Sequence, residues 1–549
     1  MPVHRHVHEK LGSVYALTSE LDAWQQGRRT ILPDDEKKPQ ADLAIIAPLA
    51  TGKKKGRAAR WPVLAGLAVV ILLGISYVMV RGRARSLARP KIKSLAVLPL
   101  KNLSGDPTQE YLADGMTEAL IGRLTTIHDL RVISHTSVTR FKNPQLSVPE
   151  IAKSLGADAI VEGSIMREGS RIRVTAQLIR GATDEHFWSE SYDREMKDAL
   201  TLQSELAQSI ADKVEVTLTG EEHQRLIAAR PIAPEVYESY LKGRFAYNDG
   251  NSRAVLEEGI RYFQDAIAKD PTFALAYLGL AETYSELGTV FAGAPPGETR
   301  PRVMRAARKA LELDPNLVEA HVVLADVLQE EWHWTDAEAE YRRALELSPN
   351  DAIAHATFAG WLLCQGRTDE ALTWVERGRE LDPIAVSGIS VAWILFQSHR
   401  YDEATREVRS VLAVHPQDAG ALLNLGFTLT ANNQPAAAIP VLEQALSVSN
   451  GSPAVSGVLI RAYAHAGRRS DALRLLSELK RRNQASYVPA GAFVNAYLGL
   501  GENEEAFTWL ERASKEKSNM LQFVKVHPYF DPLRKDPRFA ELVRRVGLN

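Results

Sequence analysis

Four carboxylates between residues 106 and 162 have the clearest potential for chemistry, because a carboxylate pair can work as general acid and base. They are Asp106, Asp114, Glu118 and Glu162. Asp106 belongs to the turn sequence NLSGDP, where an aspartate binds its own backbone. Asp114 and Glu118 are four residues apart and would share one helix face. Both positions favour a structural role over catalysis.

Other signatures of catalysis or metal binding are missing from the sequence. No GxGxxG or GxxxxGK[ST] loop follows a strand, and there is no GxSxG or HExxH. His4, His6 and His8 would share a strand face, but no cysteine or acidic partner completes a metal site. Cys364, the single cysteine, lies in a predicted helix and is best explained as a small buried residue. We therefore predict a non-enzyme with no catalytic residue, metal site or cofactor.

Length and charge bound the organisation of the chain. Its 549 residues exceed what one hydrophobic core holds, so two or more domains are expected. The net charge of −2 gives no overall field that would recruit nucleic acid or an anionic substrate. Binding of nucleic acid through bulk charge is therefore not predicted.

Residues 93–220 alternate between strand and helix patterns, which predicts a compact α/β domain. The segment resembles the TolB amino-terminal-like domain of bacterial envelope proteins. The resemblance rests on five stretches: LAVLP (95–99), NLSGDP (102–107), YLADGMTE (111–118), GADAIVEGS (156–164) and RVTAQLI (173–179). It implies a membrane-tethered bacterial protein whose residues 93–549 are periplasmic or otherwise extracytoplasmic.

The second half of the chain repeats with a period of about 34 residues. Prolines recur at 315, 349, 383 and 416, and small residues keep the same register. Two helices cross closely where the facing side chains are small, so this period predicts a helix–turn–helix solenoid. The pattern resembles the tetratricopeptide family. About seven repeats are expected over residues 236–515, with capping helices over 516–549.

In that family the first helix of each pair lines a concave wall, which implies a groove for a protein or peptide partner. Carried over in register, the wall is acidic at one end and apolar or aromatic in its middle. The predicted groove residues are Glu319, Asp326, Glu330, Leu363, Trp393, Phe396, Leu423 and Phe427. The alternative is that Trp393 and Phe396 pack between neighbouring repeats.

Residues 61–80 form a 20-residue stretch without a charge, long enough for one transmembrane helix. Five basic residues precede it and six follow it, so charge alone leaves the orientation open. The TolB resemblance favours an inner-membrane, single-pass protein with a short cytoplasmic amino terminus. The predicted fold class is thus multidomain: one transmembrane helix, a TolB-like α/β domain and an α-solenoid.

Residues 1–28 resemble the distal half of an excisionase or MerR-like winged helix, through Val14-Tyr15-Ala16 and the ELDAW stretch at 20–24. DNA is an expected partner only if a complete winged helix exists upstream. Residues 29–60 are predicted to be a basic linker.

Two functional hypotheses follow. The first is a non-enzymatic, membrane-anchored scaffold whose solenoid binds protein or peptide partners at the bacterial envelope. The second is a membrane-bound one-component transcription regulator with an exported sensing region.

Overall fold

The computed structural model describes residues 4–6, 13–15, 91–142, 145–227, 231–250, 252–289 and 294–548. They belong to two units, Met1–Arg89 and Pro90–Asn549. In the first unit β1 (His4–His6) and β2 (Ser13–Tyr15) pair antiparallel, with His4 opposite Tyr15. The helix predicted near residues 18–24, the linker 29–60 and the segment 61–80 lie outside the described residues.

The second unit begins with an α/β module built on one sheet. Its strand order is β5-β3-β6-β7-β8, with β3 parallel to both β5 and β6 and with β6, β7 and β8 antiparallel. The strands are β3 (Ser94–Val97), β4 (Lys101–Asn102), β5 (Arg131–Val132), β6 (Ala159–Glu168), β7 (Arg171–Arg180) and β8 (Glu185–Glu195). The helices are α1 (Glu110–Thr125), α2 (His135–Val138), α3 (Val148–Leu155), α4 (Ala199–Lys213) and α5 (Gly220–Ile227).

The central strand β3 is an apolar run because it is covered on both faces, as expected of a parallel strand. Leu95, Ala96 and Val97 are completely buried. Helix α1 packs on it through Leu112, Met116 and Leu120, which recur at helical spacing. This core fixes the position of α1, whose opposite side meets the solenoid.

Eight helix pairs follow in residues 234–515, against about seven predicted. The pairs are α6 (Pro234–Asp249) with α7 (Arg253–Lys269), α8 (Ala274–Leu287) with α9 (Pro296–Leu313), α10 (Val318–Glu330) with α11 (Trp334–Leu347), α12 (Ala352–Cys364) with α13 (Thr368–Leu381), α14 (Gly388–Gln397) with α15 (Tyr401–Val414), α16 (Ala419–Ala431) with α17 (Pro435–Val448), α18 (Pro453–His465) with α19 (Arg469–Ala485), and α20 (Ala490–Leu500) with α21 (Asn503–Lys515).

Small side chains hold the two helices of each pair close together. Ala325 in α10 and Ala337 in α11 are completely buried, as are Ala359 and Ala371 in the next pair. Local signals start the helices: the Asp351 carboxylate accepts from the Ala354 N–H at 2.7 Å and caps α12. Close packing of small side chains and helix caps therefore form the repeated helix pairs.

After α21 the chain forms two short 3₁₀ turns, Asn519–Phe523 and Pro528–Leu533, and then helix α22 (Pro537–Val546). We call residues 517–533 the return segment. Several of its apolar side chains are buried, including Leu521, Val524 and Tyr529.

The predicted transmembrane component of the fold class requires correction, and with it the predicted inner-membrane, single-pass localisation. Throughout the described ranges, every helix is too short or too polar to cross a bilayer. The physical reason is amphipathicity: the 18-residue helix α9 buries Val303, Ala306 and Ala307 but also carries Arg305, Arg308 and Lys309. Described residues are mostly helical, in a solenoid joined to an α/β module.

Candidate partner-binding surfaces

The α/β module contacts the solenoid along the turns that join consecutive repeats. Asn350 donates its side-chain N–H to the His128 carbonyl at 2.6 Å, and Arg131 donates to the Glu380 carbonyl at 2.8 Å. The buried Asp382 carboxylate accepts from the Ser134 N–H at 2.9 Å and the Ser137 hydroxyl at 2.7 Å. One face of the module thus meets two successive turns, and Arg140 reaches His415 in a third.

The carboxylates on α1 form part of this contact between the α/β module and the solenoid. Arg244, 7% exposed on α6, binds Glu118 of α1 and Glu282 of α8. Asn248 donates to Asp114 at 3.0 Å. Burial opposes ionisation of Asp114, but the hydrogen bond and charge of His135 hold its pKa below the ordinary value. Both carboxylates therefore serve the contact between module and array.

A cleft of about 480 Å³ opens beside this contact, between the α/β module and the first helices of the early repeats. We call it the junction cleft. Its floor is apolar, with Phe273, Leu278 and Val318 almost fully buried. Asp314 and Glu319 stand on its solenoid side, where Glu319 is exposed.

The middle of the concave wall is occupied by the return segment. Gln329 of α10 donates to Gln522 at 2.7 Å, and the Tyr529 hydroxyl donates to the Phe427 carbonyl at 3.1 Å. The ring of Phe523 lies edge-on to Trp393, with centroids 5.4 Å apart. The array therefore binds an irregular stretch of its own chain through hydrogen bonds and aromatic contacts.

The predicted groove residues divide into three groups. Leu363 and Phe396 are completely buried, and Phe396 contacts the rings of both Trp393 and His527. Asp326 and Glu330 are half-buried and are bound by protein groups, Asp326 by the Tyr341 hydroxyl at 2.6 Å and Glu330 by Arg300 at 2.8 Å. The remaining three apolar or aromatic residues, Trp393, Leu423 and Phe427, are half-buried and line a cavity, whereas Glu319 lines the junction cleft. Their role in binding a partner stays a prediction.

That cavity has a volume of about 330 Å³, and we call it the aromatic cavity. The first helices α14, α16, α18 and α20 form one wall, while the return segment and residues 288, 289, 294 and 296 contribute the other. Burial and the charges of Arg461 and Arg534 lower the pKa of His527, at its edge, to about 3, so this ring is neutral at pH 7.

Sequence reasoning missed the groups that close the array. Arg300, 4% exposed, donates to Glu330 and to the Lys517 carbonyl at 2.8 and 2.9 Å. The Trp334 indole donates to the Val546 carbonyl at 2.7 Å. The only sequence signal was a buried-type cluster, HPYFDPL at 527–533, after the last repeat. In the ranges that the structure covers, no three His, Cys, Asp or Glu side chains are placed to hold a metal.

Comparison with known protein families identifies both parts of the second unit. Residues 392–453 and 429–492 match tetratricopeptide repeat models. The solenoid is a tetratricopeptide array. Residues 91–212 match the second domain of HilA/YgeH-like transcriptional regulators. The α/β module is therefore a HilA-like regulator domain, and its resemblance to TolB is not shown.

Among characterised proteins, the chain is 32% identical over 234 residues to "Putative adenylate cyclase 3" of Rhizobium meliloti (strain 1021). The match covers 42% of this chain and 39% of that protein, so the chain spans about two fifths of its relative's length.

Two solved structures are similar to parts of the array. One is PilW, a type IV pilus biogenesis factor, with 17% identity, a TM-score of 0.33, and coverage of 42% of this chain and 98% of PilW. The other is YrrB, described as a TPR protein with an unusual peptide-binding site, with 21% identity, a TM-score of 0.24, and coverage of 34% and 91%.

Proposed function

We propose that this chain is a protein-binding scaffold in which the tetratricopeptide array and the HilA-like domain together present a docking site for a partner polypeptide. The observation that carries the proposal is the return segment. The concave wall already holds an irregular polypeptide by amide hydrogen bonds and aromatic contacts. A surface that binds one irregular stretch in this way has the chemistry to bind another.

The junction cleft is the site that remains open for a partner. Its floor of Phe273, Leu278 and Val318 suits an aliphatic or aromatic anchor, because burying such a side chain contributes about 1.5–3 kcal/mol. Desolvation and the charge of Asp351 raise the pKa of Glu319, beside this floor, to about 7. A basic residue next to the anchor would hold this carboxylate in its ionised form. The proposed partner is therefore a peptide segment that combines an apolar anchor with lysine or arginine.

A displayed library of random 12-residue peptides, selected against the full chain, tests this function. We expect enriched peptides with an apolar anchor flanked by a basic residue. Their affinity should fall at least about tenfold in Glu319→Lys, the size expected when a docked charge pair turns repulsive. Glu346→Lys is the matched control, because Glu346 lies on α11 and its side chain is 67% exposed.

Two results would oppose the proposal. One is a library that yields no saturable binder to the folded chain. The other is a set of binders whose affinity changes equally in Glu319→Lys and Glu346→Lys, since such binders would respond to overall charge alone.

A second candidate function, transcription regulation, is favoured by the match of residues 91–212 to HilA/YgeH-like regulators. The hairpin of β1 and β2 would then belong to a DNA-binding domain, and Arg5 of β1 is of a residue type that binds phosphate. Selection of random DNA duplexes by the full chain tests this. A recurrent sequence whose binding weakens in Arg5→Glu would support regulation, and enrichment of no sequence would oppose it.

Cyclase activity belongs to the name of the relative from Rhizobium meliloti, which this chain matches over 39% of its length. Tetratricopeptide arrays are recognition surfaces, and the acidic residues of α1 are engaged by Arg244 and Asn248. We propose that the chain acts by binding, and the absence of enzymatic activity stays a prediction.

A further inference from the structure

The aromatic cavity differs from the junction cleft in position and in chemistry. It lies at the concave side of the last four repeats, under the return segment, and its volume of about 330 Å³ falls within the range of small-molecule sites. Its walls include Trp393, Leu423, Phe427 and, from the return segment, Met520 and Phe523. Such a site buries most of the surface of an apolar molecule.

The lining decides the charge of a ligand. Every described residue around the cavity is apolar or uncharged; none is Asp, Glu, Lys or Arg. The polar ones include Asn424, Asn495 and the neutral His527. A charged ligand would lose its hydration without gaining a counter-ion, so an uncharged ligand is favoured.

Two asparagines place hydrogen-bonding groups on this otherwise apolar surface. Asn424 lies on α16 and Asn495 on α20, and their side-chain oxygens are buried without a hydrogen-bond partner among the described residues. Asn495 is only 5% exposed. Buried amide groups are normally satisfied, so an unpaired one in a cavity wall indicates a missing partner. An N–H or O–H donor on a bound molecule would supply it.

We infer that the aromatic cavity is a binding site for an uncharged, largely apolar small molecule that donates a hydrogen bond to the buried Asn495. Aromatic surface on the ligand would stack against Trp393 and Phe427, whose own rings lie 5.9 Å apart in an edge-to-face arrangement. Because the return segment forms one wall, the ligand would also stabilise the closed form of the array.

The test uses two matched probes on the full chain. N-Phenyl-1-naphthylamine is uncharged, becomes fluorescent in apolar sites and carries one N–H. 1-Benzylnaphthalene has nearly the same shape but replaces that N–H by a methylene. We expect saturable binding of one N-phenyl-1-naphthylamine per chain, and weaker displacement of it by 1-benzylnaphthalene.

Three variants locate the site. Gly420 lines the cavity at the start of α16, where an added Cβ would meet only the Asp418 carboxylate, at 3.3 Å. Gly420→Trp should therefore fill the cavity and reduce binding at least about tenfold. Gly360→Trp is the control, since Gly360 lies on α12 outside the cavity and has open space around it. Asn495→Leu should weaken the amine about tenfold, as expected for one lost hydrogen bond in a buried site, while changing 1-benzylnaphthalene less than about twofold.

Circular dichroism and thermal unfolding establish that each variant is folded; Ala454→Phe, on α18 in the same wall, replaces Gly420→Trp if that variant is not. The inference is overturned if the amine fails to saturate, if Gly420→Trp and Gly360→Trp bind it equally, or if Asn495→Leu lowers both probes alike. None of these results bears on the junction cleft, because no variant alters its residues.

Discussion

Asp326 has an unusual environment for a carboxylate in a tetratricopeptide array. It faces the concave side of α10, accepts from the Tyr341 hydroxyl at 2.6 Å and lies near Glu330. Burial is the main cause that raises its pKa from 3.8 to about 7, and the charge of Glu330 adds to it, although the hydrogen bond from Tyr341 opposes both. The folded chain therefore holds this proton more tightly than the unfolded chain.

This raised pKa predicts a pH-dependent effect of Asp326→Asn. Between pH about 4 and about 7 the unfolded chain has lost this proton while the folded chain still holds it, so the contribution of Asp326 to stability falls across that window. The asparagine has no such loss, so the stability of the variant relative to the natural chain should increase from pH 4 to pH 7 and then level off. Urea midpoints measured between pH 4 and 8 check this.

Tyr341→Phe provides the second arm of the experiment. Removing the hydroxyl removes the hydrogen bond that favours the ionised form, so the window in which Asp326→Asn gains stability should move to higher pH. A difference between Asp326→Asn and the natural chain that is constant from pH 4 to 8 would contradict the raised pKa.

For single residues, the sequence predicted on which helix a side chain lies but not which other side chains it contacts. The 34-residue register placed Asp326, Trp393 and Phe427 on first helices, because helical period and small-residue spacing are local properties. That Phe396 is completely buried could not be predicted from that register. Its cover includes His527 of the return segment, which follows it by 131 residues in sequence, with three helix pairs between them.

At the scale of helices, glycine determines how closely α18 and α20 approach. A Cβ added at Gly457 of α18 would lie 2.8 Å from the Ala492 Cα of α20, and backbone atoms cannot rotate away. Gly499 of α20 meets the backbone of Arg461 in α18 in the same way. These glycines lie between the first helices of neighbouring repeats and not within a helix pair, which is why the register of small residues did not single them out.

Gly457→Ala should therefore destabilise the chain by about 1–3 kcal/mol, because the methyl group forces the two helices apart. Gly360→Ala on α12 is the matched control: its Cβ would have open space, and alanine in a helix should stabilise by about 0.5–1 kcal/mol. Urea denaturation of both variants measures the difference. Equal effects in the two variants would show that helix propensity, not the close approach, governs both sites.

The docking of the α/β module also belongs to this scale, and it rests on Asp382. This carboxylate is 1% exposed and accepts four hydrogen bonds, two from its own turn and two from Ser134 and Ser137 of the module. Asp418, one repeat later, accepts from Ala421 within its own helix. Asp418 thus caps only its own helix, whereas Asp382 also joins the array to the α/β module.

Asp382→Ala should expose the segment around Ser134 to solvent, because two of its donors lose their acceptor at a cost of about 1–3 kcal/mol. Hydrogen exchange measured by mass spectrometry over residues 131–138 should become faster. Asp418→Ala should leave that segment unchanged. Unaltered exchange in both variants would mean that other contacts, such as Asn350 with His128, fix the module without Asp382.

The sequence predicted the α/β module and the array but not this contact between them. Strand alternation and helix period each extend over fewer than 40 residues, whereas Asp382 lies 245 residues from Ser137. The turn prolines at 349, 383 and 416 mark where the module docks, yet they are equally explained by the end of each repeat. Polar contacts across such distances leave no periodic trace in one sequence.

For the second unit as a whole, the decisive feature is that the tetratricopeptide array closes on itself. The return segment passes from α21 to the third repeat, where Lys517 binds Glu331 at 2.8 Å and the chain end accepts from Trp334. The return segment covers the completely buried Phe396 with the rings of His527 and Tyr529. It also forms one wall of the aromatic cavity, whereas the junction cleft lies between the α/β module and the early repeats.

Arg300 is the residue on which closure depends most, since it joins the second repeat, the third repeat and the return segment. Arg300→Met should leave Glu330 without its cation, while Glu331 keeps Lys517 at 2.8 Å. The cost should be about 2–3 kcal/mol, less than the ~3–5 of a fully buried pair, because the Glu330 side chain is 31% exposed. Urea unfolding measures the loss, and faster hydrogen exchange over residues 517–533 should accompany it. Arg305→Met, exposed on the same helix, should change stability by less than about 0.5 kcal/mol. If Arg300→Met lost stability while the return segment kept its protection, Arg300 would stabilise the early repeats alone, and closure would rest on the aromatic contacts of Trp393 and Phe427 instead.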